Sequence, residues 1–179
     1  MSRFERRSPH LEDAEILEYF KSVENPRLKG LNKVDRKFYP FGSYEGGSDT
    51  IGYGHKIQEG EDFSAGLSNR DINILLVKDL MLAEDELINR SNILPRDLNN
   101  AQYVSLVDKI FNTGDVTKKN WPKLRKAVDS NNYNNMILES KTQTNGNLLT
   151  DRFDKLSSFI KNEQNKDMQA AFKRVSFLP

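Results

Sequence analysis

The sequence predicts an α+β protein, mainly α-helical, in which a small β-hairpin lobe packs on a helical bundle. Apolar residues recur every three or four positions over most of the chain, whereas short β-rich runs occur only between residues 37 and 55. The chain has 179 residues, 36% of them hydrophobic and 30% charged, which is typical of a globular protein with a substantial core. We expect one domain, residues 1–179, with a ligand cleft where the lobe meets the bundle.

Helices are predicted from the spacing of apolar residues. They cover residues 11–23, 69–91, 99–112 and about 121–130, with further pieces at 133–140, 150–160 and 167–175. The second has the clearest start, because Ser68 can cap it and Asp71 completes a capping-box-like pattern. This places a hairpin lobe at 24–60, a helical lobe at 68–162 and a C-terminal helical extension at 163–179.

The two β-rich runs predict a hairpin. They are KFYPFGS (37–43) and DTIGYGH (49–55), and YEGG separates them. In the second run Gly52 and Gly54 alternate with larger residues, which predicts a strand face bare of side chains. Such a face lets an extended ligand, for example a polysaccharide, approach the backbone. The alternative is that these glycines only relieve crowding against a helix.

The composition excludes several kinds of site. The chain has no cysteine and two histidines, so thiol chemistry and cysteine zinc sites are excluded, and we expect no metal and no cofactor. With a net charge of +1, the chain lacks the excess of positive charge that is typical of proteins that bind nucleic acid. The N-terminal MSRFERRSPHLEDAE lacks the apolar core of a secretory signal, and no run is long enough to span a membrane. We therefore expect the chain to fold in a cytoplasm.

Glu24 is the first candidate for a chemical role. It ends the first predicted helix just before the hairpin, so we expect it at the junction of lobe and bundle. A carboxyl group that is partly removed from water is held protonated more easily and can act as a general acid. The alternative is a solvated residue at a helix end, which is the commoner setting for a glutamate.

The motifs, and their order along the chain, resemble those of the phage-type lysozymes, the endolysins of the T-even and related phages. In that family a Glu at a helix end is followed by R-L-K, a hairpin and T-I-G-Y-G-H, as Glu24 is here by RLKG and by residues 50–55. The likeness continues through LLVKDLMLAEDEL (75–87), AQYVSLVDKIFNTGDV (101–116), WPKLRKAVDSNNYNNMILE (121–139) and TDRFDKLSSF (150–159). It covers residues 14–162.

The resemblance implies a muramidase, which hydrolyses the β-1,4 bond between N-acetylmuramic acid and N-acetylglucosamine in peptidoglycan. It implies that Glu24 is the general acid, that Thr50 helps position the attacking water, and that Phe111, Asn112 and Gly114 line the sugar-binding cleft. We also expect a monomer without a nucleic-acid partner. The protein would be made in the host cytoplasm and act on the periplasmic cell wall, either at lysis or, as a virion component, at entry.

The family's second carboxylate, an Asp on the hairpin, has no counterpart at the expected position. Counting back from Thr50 places it at Tyr44, whereas aligning the start of the hairpin places it at Phe41. A lysozyme fold that has lost this carboxylate could serve as a virion or wall-binding protein without catalysis. That is the alternative function, and the retained Glu24 and Thr50 favour the enzyme.

Three carboxylates near the hairpin are available as substitutes, namely Glu45, Asp49 and Asp35. Asp49 adjoins Thr50 in a strand, so the two side chains should point to opposite faces. Asp35 precedes the hairpin. We therefore prefer Glu45, which lies near the turn.

His55 is the only histidine within the matched region, and the resemblance gives it no chemical role. A catalytic base is one interpretation. We favour an ion pair with Asp79, near the middle of the 69–91 helix. Such a pair would raise the pKa of His55 and would weaken as the pH rises through that pKa.

Overall fold

The computed structural model describes residues 8–42, 49–114, 116–140 and 147–176. These residues form six α-helices: α1 (Ala14–Glu24), α2 (Asn69–Ser91), α3 (Asn100–Thr113), α4 (Pro122–Asp129), α5 (Tyr133–Glu139) and α6 (Asn147–Ser176). Three short strands, β1 (Phe41–Gly42), β2 (Asp49–Ile51) and β3 (His55–Lys56), form one antiparallel sheet. The predicted class, α+β and mainly α, is confirmed.

The chain divides into two compact units. The helical unit comprises Met1–Tyr19 and Ala83–Pro179, and the sheet unit comprises Phe20–Leu82. Each has its own apolar core. The buried side chains of the helical unit include Val104, Leu106, Val107, Leu124, Met136, Leu156 and Ile160. Those of the sheet unit include Phe38, Ile51, Tyr53, Ile72, Leu76 and Leu80.

Strands β1 and β2 form the predicted hairpin. Phe41 pairs with Thr50 and Gly42 with Asp49, in antiparallel register. The second β-rich run is not one strand, because β2 ends at Ile51 and the chain turns before β3. The sheet therefore has three strands in the order β1-β2-β3.

Gly52 and Gly54 lie in the turn between β2 and β3, with φ of 62° and 88°. Side-chain-bearing residues avoid such positive φ values, so glycine is the residue that allows this reversal. The predicted bare strand face is therefore wrong. A Cβ atom on Gly52 would lie 2.6 Å from Cδ1 of Ile72, so the alternative, relief of crowding against a helix, is correct for Gly52.

Helix α1 begins later than predicted. Residues Pro9–Glu12 form a 3-10 turn, and Asp13 separates it from α1. The Asp13 carboxylate accepts from the backbone N–H of Glu15 at 2.9 Å and of Ile16 at 3.3 Å, so Asp13 caps the helix. Leu11, which fits the helical period of α1, is buried from the 3-10 turn instead.

Helix α2 has the predicted bounds and the predicted start. The backbone N–H of Asp71 donates to the Ser68 hydroxyl at 3.3 Å, and that hydroxyl donates to the Asp71 carboxylate at 2.6 Å. Helix α3 begins with a full capping box between Asn99 and Gln102.

The last two predicted helical pieces are one helix, α6, which includes residues 161–166 between them. The intervening KNEQNK contains no glycine or proline that would break a helix. Lys166 in this segment pairs with Glu163, at 2.8 Å, and with Glu15. The 163–179 extension is thus, as far as Ser176, the continuation of α6.

Candidate active site

Glu24 is the last residue of α1, and its side chain is half-buried. The next residue, Asn25, is buried and fixes this end of the helix. Its Nδ2 donates to the carbonyl oxygens of Lys29, at 2.9 Å, and Gly52, at 2.8 Å. Its Oδ1 accepts from the backbone N–H of Lys29 at 2.8 Å. The residue beside the candidate acid is therefore bonded directly to the turn between β2 and β3.

Gly54 of that turn lies next to the Glu24 carboxyl group. An ideal Cβ atom on Gly54 would be 3.3 Å from Oε2 of Glu24. Gly54 is exposed, so the backbone that lies next to this oxygen is at the protein surface. The sequence singled out both residues, and the structure brings them together.

Thr50 lies in the middle of β2, half-buried, two residues before the turn that Asn25 holds. Its hydroxyl donates to the carbonyl oxygen of Phe41 at 3.3 Å. Phe41, one of the two positions considered for the family's Asp, therefore stands directly across the hairpin from Thr50.

The other position considered for that Asp, Tyr44, lies outside the described residues, and so does Glu45. Of the two remaining substitutes, Asp49 is exposed on β2. Asp35 is bonded within its own loop, where it accepts from the Tyr39 hydroxyl at 2.7 Å and from the backbone N–H of Lys37 at 3.0 Å. The hydrogen bond from Tyr39 is the main reason that the pKa of Asp35 is lowered.

His55 pairs with Asp79, as predicted, and also with Glu61. Nδ1 of His55 lies 3.0 Å from Asp79, and Nε2 lies 3.0 Å from Glu61. Burial acts to lower the pKa of His55, but the hydrogen bonds to Glu61 and Asp79 outweigh it, so this pKa is raised. Burial raises the pKa of Asp79 against the effect of His55. Both ring nitrogens are thus engaged by carboxylates, which is the setting of a structural ion pair.

The three predicted cleft residues lie at the end of α3 in the helical unit. Phe111 is half-buried. Gly114 caps α3 with φ of 70°, and its N–H donates to the carbonyl oxygen of Ile110 at 2.7 Å. Asn112 donates through Nδ2 to the backbone oxygen of Asp108, at 2.9 Å, and to its carboxylate, at 3.1 Å. The need to end helix α3 with a positive φ therefore explains why position 114 is a glycine.

Asp108 is the centre of a buried polar cluster in the helical unit. Besides Asn112, its carboxylate accepts from the Tyr19 hydroxyl at 2.7 Å and from Nε and Nη2 of Arg152 at 2.9 and 2.8 Å. Only 2% of Asp108 is exposed. We call these four residues the Asp108 cluster. It joins α1, α3 and α6.

Two residues that matter for the geometry were not singled out from the sequence. Asn25 fixes the position of its neighbour Glu24, and its Asn-Pro dipeptide, typical of a turn, was the available signal. Glu61 completes the His55 pair. No periodicity points to it, because it lies in the loop between β3 and α2.

The described residues contain no group of three or more histidine, aspartate and glutamate side chains that could hold a metal ion. Nor does any of the helices described combine the length and the apolar character needed to cross a membrane.

A comparison with models of protein families assigns the chain to a known family. The family described as Phage lysozyme matches residues 30–161, which is most of the chain. Comparisons with curated proteins and with solved structures gave no match. The matched range includes Thr50, both turn glycines and the end of α3, and it begins just after Glu24. The chain belongs to the phage lysozyme family.

Proposed function

We propose that this protein is a muramidase that hydrolyses the β-1,4 bond between N-acetylmuramic acid and N-acetylglucosamine in peptidoglycan, with Glu24 as the general acid. The observation that carries the proposal is the closeness of the half-buried Glu24 carboxyl group to the exposed backbone of Gly54, where a Cβ atom would lie 3.3 Å from Oε2. A general acid must come within hydrogen-bonding distance of the oxygen that it protonates, and bare backbone beside the carboxyl group permits this approach.

In the proposed reaction, Glu24, Thr50 and a second carboxylate each have one role. Glu24 gives its proton to the glycosidic oxygen as the bond from that oxygen to the anomeric carbon breaks, through an oxocarbenium-like transition state. Water adds to the anomeric carbon and gives a proton to a second carboxylate. Thr50 orients this water, and Asn25 acts as a positioning residue that holds the end of α1 against the turn.

The substrate implies where the protein works. We propose that it acts as a monomer on the peptidoglycan of the periplasm after synthesis in the host cytoplasm, either at lysis or from the virion at entry. Phe111, Asn112 and Gly114 would contribute to sugar binding.

The decisive experiment compares Glu24→Gln with Glu59→Gln. Both changes remove one carboxylate from the sheet unit, and Glu59 is exposed on a loop. Glutamine keeps the size of the side chain but has no proton to give. We expect Glu24→Gln to lose at least about 100-fold in the release of reducing ends from purified sacculi, and Glu59→Gln to keep the parent activity.

Two results would count against the proposal. Equal activity of Glu24→Gln and the parent would remove Glu24 from catalysis. A parent protein that sediments with sacculi but releases no reducing ends would be a wall-binding protein, the alternative that the missing hairpin Asp suggests. Clearing of chloroform-treated Gram-negative cells tests the same activity on whole walls.

For the second carboxylate we propose Glu45. Asp35 is already bonded to Tyr39 and Lys37, which supports a role in its own loop rather than in catalysis. We expect Glu45→Gln to lower sacculus hydrolysis more than Asp49→Asn or Asp35→Asn, and less than Glu24→Gln. If all three variants keep full activity, no second carboxylate takes part and the water oriented by Thr50 must act alone.

A further inference from the structure

A cavity of ≈ 360 Å³ lies beside α4 in the helical unit. The side chains around it are those of Lys118, Pro122, Arg125, Lys126, Asp129 and Ser130. Three carry a positive charge and one a negative charge, so the lining has a net charge of +2. The proposed hydrolysis uses none of these residues.

Arg125, in this lining, is a buried cation whose charge is poorly balanced. Only 3% of the residue is exposed. Its Nη1 donates to the carbonyl oxygen of Val116 at 3.3 Å, its Nη2 is 4.0 Å from the Asp129 carboxylate, and its Nε is buried without a hydrogen-bond partner. Burial lowers the pKa of Arg125, and the charge of Asp129 opposes this only in part. Burial of a guanidinium group lowers the stability of the fold unless an anion lies close to it.

The same unit contains an arginine with a close anion. Arg152 donates from Nε and Nη2 to Oδ1 of Asp108, at 2.9 and 2.8 Å. Short charge-assisted contacts of this kind balance the charge of a guanidinium group. Arg125 has no contact of this kind among the described residues, because the carboxylate of Asp129 is 4.0 Å from its Nη2.

The one carboxylate of the cavity is already engaged. Asp129 lies 3.1 Å from Nζ of Lys118 and is about half exposed. Lys126, on the same helix, is exposed and forms no ion pair with any described residue. An anion in the cavity would therefore meet the cations of Arg125 and Lys126, with little competition from Asp129.

We propose that this cavity binds a phosphoryl group. A phosphate monoester carries a charge of about −1.5 to −2 at neutral pH, which matches the lining, whereas a carboxylate would balance only half of it. Arginine and lysine together are the side chains that hold phosphate oxygens in proteins. The group can belong to a soluble phosphate or to a lipid headgroup, since both present the same oxygens.

The test measures binding directly and does not depend on hydrolysis. Inorganic phosphate is titrated into the full chain at pH 7.5 and constant ionic strength, by isothermal titration calorimetry, and the parent is compared with Lys126→Gln and Lys123→Gln. Lys123 is exposed on α4 and outside the cavity lining, so its variant controls for net charge. We expect saturable binding that Lys126→Gln weakens about fivefold or more, as for the loss of one charge contact, and that Lys123→Gln leaves within about twofold.

A second arm separates the two sources of the phosphoryl group. Flotation with phosphatidylcholine vesicles, with and without phosphatidic acid, is run on the same three proteins. Binding to phosphatidic acid vesicles that only Lys126→Gln weakens assigns a lipid headgroup, and binding of inorganic phosphate alone assigns a soluble ligand.

The Arg125→Met variant removes the cation itself. Since it also removes an unbalanced buried charge, we expect it to fold and to bind no phosphate. The proposal is overturned if neither arm shows binding by the parent, or if Lys123→Gln and Lys126→Gln weaken the binding equally.

Discussion

The carboxyl groups of Glu24 and Asp108 lie in opposite surroundings. Asp108 is 2% exposed, and donors from three helices converge on its carboxylate. Glu24 is half-buried at the end of α1, and the exposed backbone of Gly54 lies next to its Oε2. The Asp108 carboxylate is enclosed by its own protein, whereas the Glu24 carboxylate lies beside backbone at the protein surface.

This difference separates stability from activity. A carboxylate that several buried groups depend on cannot be lost without leaving them unpaired. Replacement of the Glu24 carboxylate instead removes the proposed proton donor from the reaction. Variants at either carboxylate, or at the residues around it, test this separation.

The largest effect is expected at Asp108. Asp108→Asn removes the buried carboxylate that accepts from Tyr19, Asn112 and Arg152, so we expect about 3–5 kcal/mol to be lost from the free energy of unfolding, measured by urea denaturation. The double variant Asp108→Asn/Arg152→Met should be less destabilised than Asp108→Asn alone, because the cation that Asp108 balances is also removed. If Asp108→Asn were as stable as the parent, the Asp108 cluster would not hold the helical unit together.

The two turn glycines offer a sharper contrast within the sheet unit. Gly52→Ala places a Cβ atom 2.6 Å from Ile72 and requires a positive φ, so we expect a loss of about 2–4 kcal/mol in stability. Gly54→Ala meets only the Glu24 side chain, so its cost is mainly the backbone, about 1–2 kcal/mol.

Activity should rank these two variants the other way. Hydrolysis of sacculi, measured well below the melting temperature of both variants, should fall more in Gly54→Ala than in Gly52→Ala. The reason is that the methyl group added at Gly54 lies beside the carboxyl group of the proposed acid. Equal activity of Gly54→Ala and the parent would mean that the substrate does not use this side of the carboxyl group.

Asn25 links the two roles, since it is buried yet adjoins Glu24. Asn25→Ala leaves the carbonyl oxygen of Gly52 and the backbone N–H of Lys29 without their partners, which we expect to cost on the order of 2 kcal/mol in thermal or urea unfolding. Its kcat should also fall, because the end of α1 is no longer held to the turn. A variant with lower stability and unchanged kcat would make Asn25 purely structural.

The smallest effect concerns pH and His55. Because the pKa of His55 is raised in the folded protein, its contribution to stability is fully present below about pH 6.5 and is lost as the pH rises through the raised pKa. His55→Gln should therefore lower the free energy of unfolding by about 1 kcal/mol at pH 6 and by less at pH 9. A constant difference at both pH values would show that the charge of His55 does not contribute.

Much of the fold could be predicted from the sequence, because most elements depend on local patterns. The bounds of α2 follow from its apolar period and from Ser68 and Asp71 at its start. The turn at Gly52 could not be found in this way. The alternation of TIGYGH fits a strand as well, and only the approach of Ile72, from an element later in the chain, decides between the two.

The candidate site was predictable in part. The helix end and the order of motifs indicate Glu24, motif order indicates Thr50, and the place of Asp79 near the middle of its helix predicts the partner of His55, which the contact confirms. The hydrogen bond from Asn25 to the carbonyl oxygen of Gly52 joins residues far apart in the sequence, and no periodic pattern predicts such a contact. Whether Glu45 replaces the hairpin Asp stays a prediction.

The Asp108 cluster also bears on the order in which the chain can fold. Tyr19 precedes Asp108 by 89 positions, and Arg152 follows it by 44. During synthesis the Tyr19 hydroxyl and the Asp108 carboxylate therefore emerge before the Arg152 guanidinium that balances the charge of the carboxylate. Closing contacts over such separations is slow, because the loop entropy is lost before the contact is gained. The part of α1 that carries Tyr19 and helix α6 should consequently lock onto α3 in one late step, and their amide protons should become protected from exchange at the same time.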